Sequence, residues 1–192
     1  KFIEINEQIE EVAKDNLKIQ AFRVKHNVVC YGYNIVIERS GRFLVDKAKE
    51  NDIPQRYWNK LQKGEAINMG DRVLTSDMVL GSPRKGIKVT YCTDTRPVPI
   101  ISKMAEGADL FICEGMYGEE GKEEKAIEYK HMTFYEAAEL AKDANAKELW
   151  LTHYSPSLVR PEEYIEATRK IFKNTKVGKD RKTKTLKFDP NE

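Results

Sequence analysis

Apolar and polar residues alternate over Lys1–Ile5 ("KFIEI") and again over Leu17–Val24 ("LKIQAFRV"), the two-residue period of a strand with one buried face. "CYGYNIVIER" follows, rich in aromatic and β-branched residues, so the first forty residues read as β-hairpins or a meander. Between about Lys47 and Lys88 this pattern dissolves. Pro54 opens a short helical spacing through Tyr57, Trp58 and Leu61 that Gly64 stops, and no long periodic element follows. The segment reads as an excursion from the core.

Beyond Gly86 the pattern becomes α/β. "IKVTYC" predicts a strand, "VPIISKMAEG" a short helix closed by Gly107, and "DLFICE" a second strand. A helix is expected from Phe134 to about Asn145, then a strand at "LWLTH", a helix over "PEEYIEATRKIFKN" and a final strand at "KTLKF". Thr133-Phe134-Tyr135-Glu136 has the spacing of a capping box, and Pro161 with Glu162 and Glu163 suits a first helical turn.

Composition narrows the class. With 192 residues, 40% hydrophobic and 33% charged, the chain is expected to be soluble and to form one core with at most an appendage. No apolar run approaches the roughly 20 residues of a membrane span and no leader pattern opens the chain, which points to the cytoplasm. Cys30, Cys92 and Cys113 are odd in number, lie in or beside apolar runs and fit no zinc-finger spacing, as expected of reduced core thiols. The chain starts at Lys1 inside an alternating run and reads as the interior of a longer polypeptide. Net charge is +2, but 12 acids face 5 bases between Glu106 and Glu148, while Arg169–Lys187 holds 9 bases and Asp180 as its single acid. A solvated chain end and a phosphate-facing surface both fit that basic segment.

Candidate chemistry lies at the ends of the expected elements. His26 follows the strand "LKIQAFRVK", Asp94 ends "IKVTYCTD", His153 ends "LWLT" and His131 stands just before the Thr133 cap. Glu114, ending "DLFICE", is a candidate fifth member or a turn cap. Imidazole and carboxylate are the usual ligands of borderline divalent ions, and a carboxylate has two oxygens with which to bridge two of them. Singly, each residue has an ordinary structural reading, as a hydrogen-bonded surface His or an Asx-type turn.

"VKHNVVCYGY", "TYCTDTRP", "GADLFICEGMY" and "HMTFYEAAELAKDANAKELWLTHYSPSL" together resemble, in this register, the second half of the ribonuclease Z family, the tRNA 3′-processing endoribonucleases of the metallo-β-lactamase superfamily. The resemblance implies an α/β chain in which residues 1–192 form the C-terminal half of an αββα sandwich, with a flexible tRNA-binding arm inserted at approximately 40–86 and its substrate contacts at approximately 47–85. It implies zinc ligation by His26 and His153, a bridging carboxylate at Asp94 and a catalytic, non-ligand role for His131 at the phosphoryl transition state or leaving oxygen. The implied cofactor is zinc, two ions per complete site, with Mn or Fe as possible occupants. The implied partners are precursor tRNA and a second copy in a homodimer. Thr93 and Thr95 are expected, on chemical grounds, to orient Asp94 through their hydroxyls. In the arm, Tyr57 and Trp58 suit either RNA contact or a small core of the arm itself.

Two departures matter. The His-x-His-x-Asp-His segment that supplies most metal ligands in this superfamily does not occur in these 192 residues, so a complete site needs the N-terminal half. Cys92-Thr93 precedes Asp94 where many relatives have a Gly, which leaves metal preference open. The expected function is metal-dependent removal of 3′ trailers from precursor tRNA. The alternatives are a phosphodiesterase or sulfatase acting on small substrates, and a non-catalytic RNA-binding fragment.

Overall fold

The computed structural model describes residues 4–190. The opening alternation becomes three antiparallel strands, β1 (Ile9–Lys14), β2 (Leu17–Lys25) and β3 (Val29–Arg39). Asp15 turns the first hairpin with φ 54°, a left-handed conformation that Asp tolerates better than most residues. Of the strand expected at Lys1–Ile5, residues 1–3 lie outside the described residues, and Glu4 and Ile5 are irregular.

Four parallel strands extend this sheet: β6 (Arg84–Cys92), β7 (Leu110–Glu114), β8 (Leu149–Thr152) and β9 (Thr175–Val177), giving the order β1-β2-β3-β6-β7-β8-β9. The short hairpin of β4 (Ile67–Asn68) and β5 (Val73–Leu74) forms a sheet of its own. The chain returns between parallel strands through α3 (Pro99–Ala105), then α4 (Glu123–Tyr129) and α5 (Phe134–Asp143), and finally α6 (Ile165–Arg169). "LFICE" and "LWLT" are short continuous apolar runs because parallel strands are covered on both faces. Phe111, Cys113, Leu149 and Leu151 are fully buried in one cluster with Ala137, Ala138 and Ala141 of α5, whose small side chains let the helix lie close to the sheet.

Two expected elements differ. The helix over 161–174 is a 3-10 turn at Pro161–Tyr164 followed by α6, which stops at Arg169, where the guanidinium Nε donates to the Thr175 carbonyl at 3.0 Å. The final strand is Thr175–Val177, not "KTLKF": Lys184 instead reaches the Glu148 carboxylate by its side chain, at 2.7 Å. No described helix is long and apolar enough to cross a membrane.

The chain divides into two compact units, one comprising residues up to Ile37 with Ile87–Lys187, the other Glu38–Gly86 with the chain end from Phe188. The second unit contains α1 (Val45–Glu50), α2 (Trp58–Gln62) and the β4–β5 hairpin around Ala48, Ile53, Leu61, Leu74 and Val79. Trp58 is committed to that core. Its ring lies 5.1 Å from the Phe43 ring and its Nε1 donates to the Ile53 carbonyl at 2.9 Å.

Candidate metal centre

In a parallel sheet every strand delivers its C-terminal end to the same edge, where side chains are held by a rigid scaffold. Asp94 stands two residues beyond β6, Glu114 ends β7 and His153 follows β8 directly. The turn after β2 arrives at the same edge through an antiparallel bridge between Lys25 and Arg96, and it carries His26. His131 comes from the α4–α5 connection, its N–H bonded to the Ala126 carbonyl at 2.9 Å. All four sequence-derived residues are therefore gathered together. Asp94 and His153 both adopt left-handed backbone conformations, with φ 53° and 55°, a strain that tends to collect at functional sites.

Asp94 Oδ1 is the common point of the cluster. It lies 3.2 Å from His153 Nε2 and 3.9 Å from His26 Nε2. One potential ligand atom from each of His26, Asp94 and His131 falls within 4.8 Å of the others, so spacing alone does not set His131 apart from the expected ligands His26 and Asp94, and His153 joins the cluster through its contact with Asp94. The ring centroids of His26 and His131 are 4.9 Å apart, and those of His131 and His153 are 5.5 Å apart.

Hydrogen bonds set the state of His26. Its Nδ1 lies 3.0 Å from the carbonyl of Lys130, an acceptor, which places a proton on Nδ1 and makes Nε2 the nitrogen that faces the Asp94 carboxylate. A ring nitrogen and a carboxylate so placed can share a cation, either a proton on Nε2 or a metal ion. Ligands about 2.0–2.1 Å from a tetrahedral zinc lie about 3.3 Å from one another. The separations at Asp94 bracket that value, so the donor chemistry and spacing fit a divalent ion.

Behind the cluster, Glu114 is completely buried. Its Oε1 accepts from the Thr95 N–H at 2.6 Å, and its Oε2 accepts from the Met132 N–H at 3.2 Å and lies 3.0 Å from His131 Nδ1. Burial pushes its carboxyl up to about 8, against the lowering effect of the two backbone donors. Burial first, and then the neighbouring His26 and His153, hold His131 below the usual imidazole range. Burial thus favours the uncharged form of both partners of the Glu114–His131 hydrogen bond.

Thr95 does not orient Asp94 as expected. Its hydroxyl accepts from the Lys25 N–H at 3.0 Å and donates to the Arg96 carbonyl at 2.8 Å, tying the end of β2 to the segment after β6. Arg96 and Glu136 escaped the sequence reading as site residues. The Arg96 guanidinium holds the His131 carbonyl and forms a two-pronged pair with the Glu136 carboxylate, one bond being 3.1 Å. The capping box signals Glu136, and it is present: Thr133 Oγ1 accepts from the Glu136 N–H at 3.2 Å, while Glu136 Oε2 accepts from the Thr133 N–H at 2.8 Å. The second task of that carboxylate, to fix Arg96, has no local signature.

Comparison with known proteins supplies the family context. The Beta-lactamase superfamily domain matches residues 3–154. Ribonuclease Z of Lachnoclostridium phytofermentans is 61% identical over 191 residues, which cover 100% of this chain and 63% of that protein. Ribonuclease Z of Lachnospira eligens is 60% identical, with 98% and 62% covered. The chain thus spans somewhat under two thirds of the length of these curated relatives. Among solved structures, the metallo-beta-lactamase fold protein YhfI from Bacillus subtilis superposes with TM-score 0.55 at 19% identity, covering 88% of this chain and 50% of that one. Human tRNase Z, short form, gives 0.51 at 18% identity, with 90% and 45% covered.

Proposed function

This chain belongs to the beta-lactamase superfamily and has the metallo-β-lactamase fold, and on that premise we propose that it carries the second half of a metal-dependent endoribonuclease site that removes 3′ trailers from precursor tRNA. The observation that carries the reading is the convergence of His26, His131 and His153 on the Asp94 carboxylate. Relatives named ribonuclease Z at about 60% identity supply the substrate class. His26, Asp94 and His153 would hold the metal, zinc in this reading, with Asp94 shared between two ions. When bound, such ions supply Lewis acidity and an activated nucleophile for phosphodiester hydrolysis.

The chain's own residues have distinct tasks. The Lys130 carbonyl fixes His26 with its Nε2 free to bind. Glu114 and His131 hold the proton that the departing oxygen takes up, and His131 Nε2 is the atom left to deliver it, because Nδ1 is engaged with Glu114. Arg96 anchors the His131 backbone and so sets the position of that nitrogen. Residues 38–86, with their own core, would form the tRNA-binding arm, and a homodimer is the expected assembly.

The test is cleavage of a 3′-extended precursor tRNA by the chain within its complete gene product. The reading predicts one cut leaving a 3′-hydroxyl, abolished by chelation and by Asp94→Ala. Salt-dependent tRNA binding without metal uptake or cleavage would replace it with the RNA-binding reading.

A further inference from the structure

The chain enters and leaves the second unit through two limbs that are zipped together. Phe43 and Leu80 form an antiparallel bridge, the Gly81 N–H donates to the Arg42 carbonyl at 2.9 Å, and the Leu44 N–H donates to the Val79 carbonyl at 2.8 Å. Side chains add further ties. Arg84 Nε donates to the Ser40 carbonyl at 2.9 Å, Lys47 Nζ to that of Leu80 at 2.8 Å and Asn51 Nδ2 to that of Met78 at 3.1 Å. Phe43 and Leu80 also pack on the core of the unit, so the stem passes into it without a slack joint.

Gly41 and Gly81 meet where the limbs cross. A Cβ at Gly41 would stand 2.0 Å from the Gly81 carbonyl oxygen and 2.8 Å from that of Ser82, both backbone atoms that cannot swing aside. Any larger residue at 41 must therefore part the limbs by about 1 Å or more to restore van der Waals separation. A Cβ at Gly81 meets only the Leu44 side chain at 3.4 Å and the Arg42 carbonyl at 3.6 Å, which are ordinary contacts. Neither glycine has the left-handed backbone, so Gly41 supplies space and not torsional freedom. Parting the limbs leaves Ala48, Ile53, Leu61, Leu74 and Val79 their own contacts but changes the path by which the chain reaches them.

We propose that Gly41 is a positioning residue for the RNA substrate: its contact with the Gly81 carbonyl keeps the stem closed and so sets where the second unit presents its surface to the tRNA. The inference rests on the reading of residues 38–86 as the tRNA-binding arm. A closed stem holds that surface in one orientation, so less freedom is lost on binding. Opening the stem weakens capture of a large RNA and leaves the residues that act on the phosphate untouched.

The test is steady-state kinetics of the complete gene product, as wild type, Gly41→Ala and Gly81→Ala, on a 3′-extended precursor tRNA and on the small phosphodiester bis(p-nitrophenyl) phosphate. Gly41→Ala is expected to raise KM for the tRNA about tenfold with kcat nearly unchanged, the mark of lost binding, and to hydrolyse the small diester as the wild type does. Gly81→Ala, which keeps the carbonyl and crowds only Leu44, retains the wild-type KM. Hydrogen exchange around Trp58 and Leu61 stays as slow in Gly41→Ala as in the wild type, which shows the core of the unit intact. An equal loss on both substrates, an equal rise of KM in Gly81→Ala, or lost protection around Leu61 overturns the assignment, the last by making Gly41 a folding requirement only. Cleavage of tRNA with unchanged KM in Gly41→Ala overturns this inference alone. A wild type that hydrolyses the diester but not precursor tRNA overturns the tRNA reading together with it.

Discussion

The two halves of the seven-stranded sheet use their residues differently. In the parallel half, Phe111, Cys113, Leu149 and Leu151 are wholly buried, and three polar residues, Asp94, Glu114 and His153, stand at or just after C-terminal strand ends on one edge. In the antiparallel half, Val12, Leu17, Ile19 and Ile35 remain about two-fifths exposed, and successive turns fall on opposite edges, so the β2–β3 turn brings His26 to the site while the β1–β2 turn at Asp15 points away from it. Topology explains the contrast. Parallel strands are separated by helices that bury the sheet and return the chain in one direction, so chemistry accumulates at one edge, whereas a meander visits that edge on alternate turns.

The largest expected effect sets one strand end against another. In the complete gene product, Asp94→Ala lowers tRNA cleavage on the order of 10³-fold or more, because it removes the oxygen common to the cluster. Asp15→Gly, at the far turn, leaves cleavage unchanged; steady-state assays of the two variants read the difference. A comparable loss with Asp15→Gly would break the comparison.

Stability sharpens it next. Phe111→Ala deletes a ring packed under α5 and is expected to cost about 3–5 kcal/mol. Ile19→Ala, in the antiparallel half, costs about 1 kcal/mol or less in the 192-residue chain by itself, in proportion to the smaller area it buries there. Urea unfolding of both variants gives the ratio, and equal costs would show that the antiparallel half is as well packed in solution as the parallel half.

A smaller effect is expected at Arg96. Arg96→Lys keeps the charge but loses the fork that holds Glu136 and the His131 carbonyl together, so cleavage falls about 10–100-fold. The loss should appear in kcat rather than KM and should shift the pH profile, since the residue acts through the position of His131.

The smallest effect concerns Glu148. Burial alone would raise its carboxyl, but hydrogen bonds from Lys184, Lys176 and Trp150 outweigh burial and hold it at about 2. A carboxyl depressed by folding stabilises the protein above its unfolded value, near 4.3, and that contribution is lost as pH falls toward 2. Glu148→Gln is therefore expected to flatten the dependence of Tm on pH between about 5 and 2, with little change in slope above pH 6.

How much of this was legible in the sequence follows the range of each interaction. Alternation over Leu17–Val24 gave β2, the short apolar runs gave β7 and β8, and Thr133 with Glu136 gave the start of α5, because each signal is contained within a few residues. The resemblance in four motifs singled out His26, Asp94, His131 and His153, and the fold brings them together. The sequence misplaced β9, because the alternating "KTLKF" competes with the shorter "TKV" and a side-chain bridge from Lys184 to Glu148 decides between them. It missed α4, where only Ala126 is buried and no apolar stripe exists. The contact of Glu114 with His131 and the hold of Arg96 on Glu136 join residues 17 and 40 positions apart, so no local pattern encodes them.

The central claim is that strand-end residues of the parallel half, joined by His26, form a metal site whose shared ligand is Asp94. The most direct measurement is metal content by inductively coupled plasma mass spectrometry on the complete gene product, for the wild type and for Asp94→Ala. The account predicts close to two zinc, manganese or iron ions per chain in the wild type and a loss of most of both in the variant, since one carboxylate serves the two positions. Full metal content in Asp94→Ala, or none in the wild type after reconstitution, would contradict it.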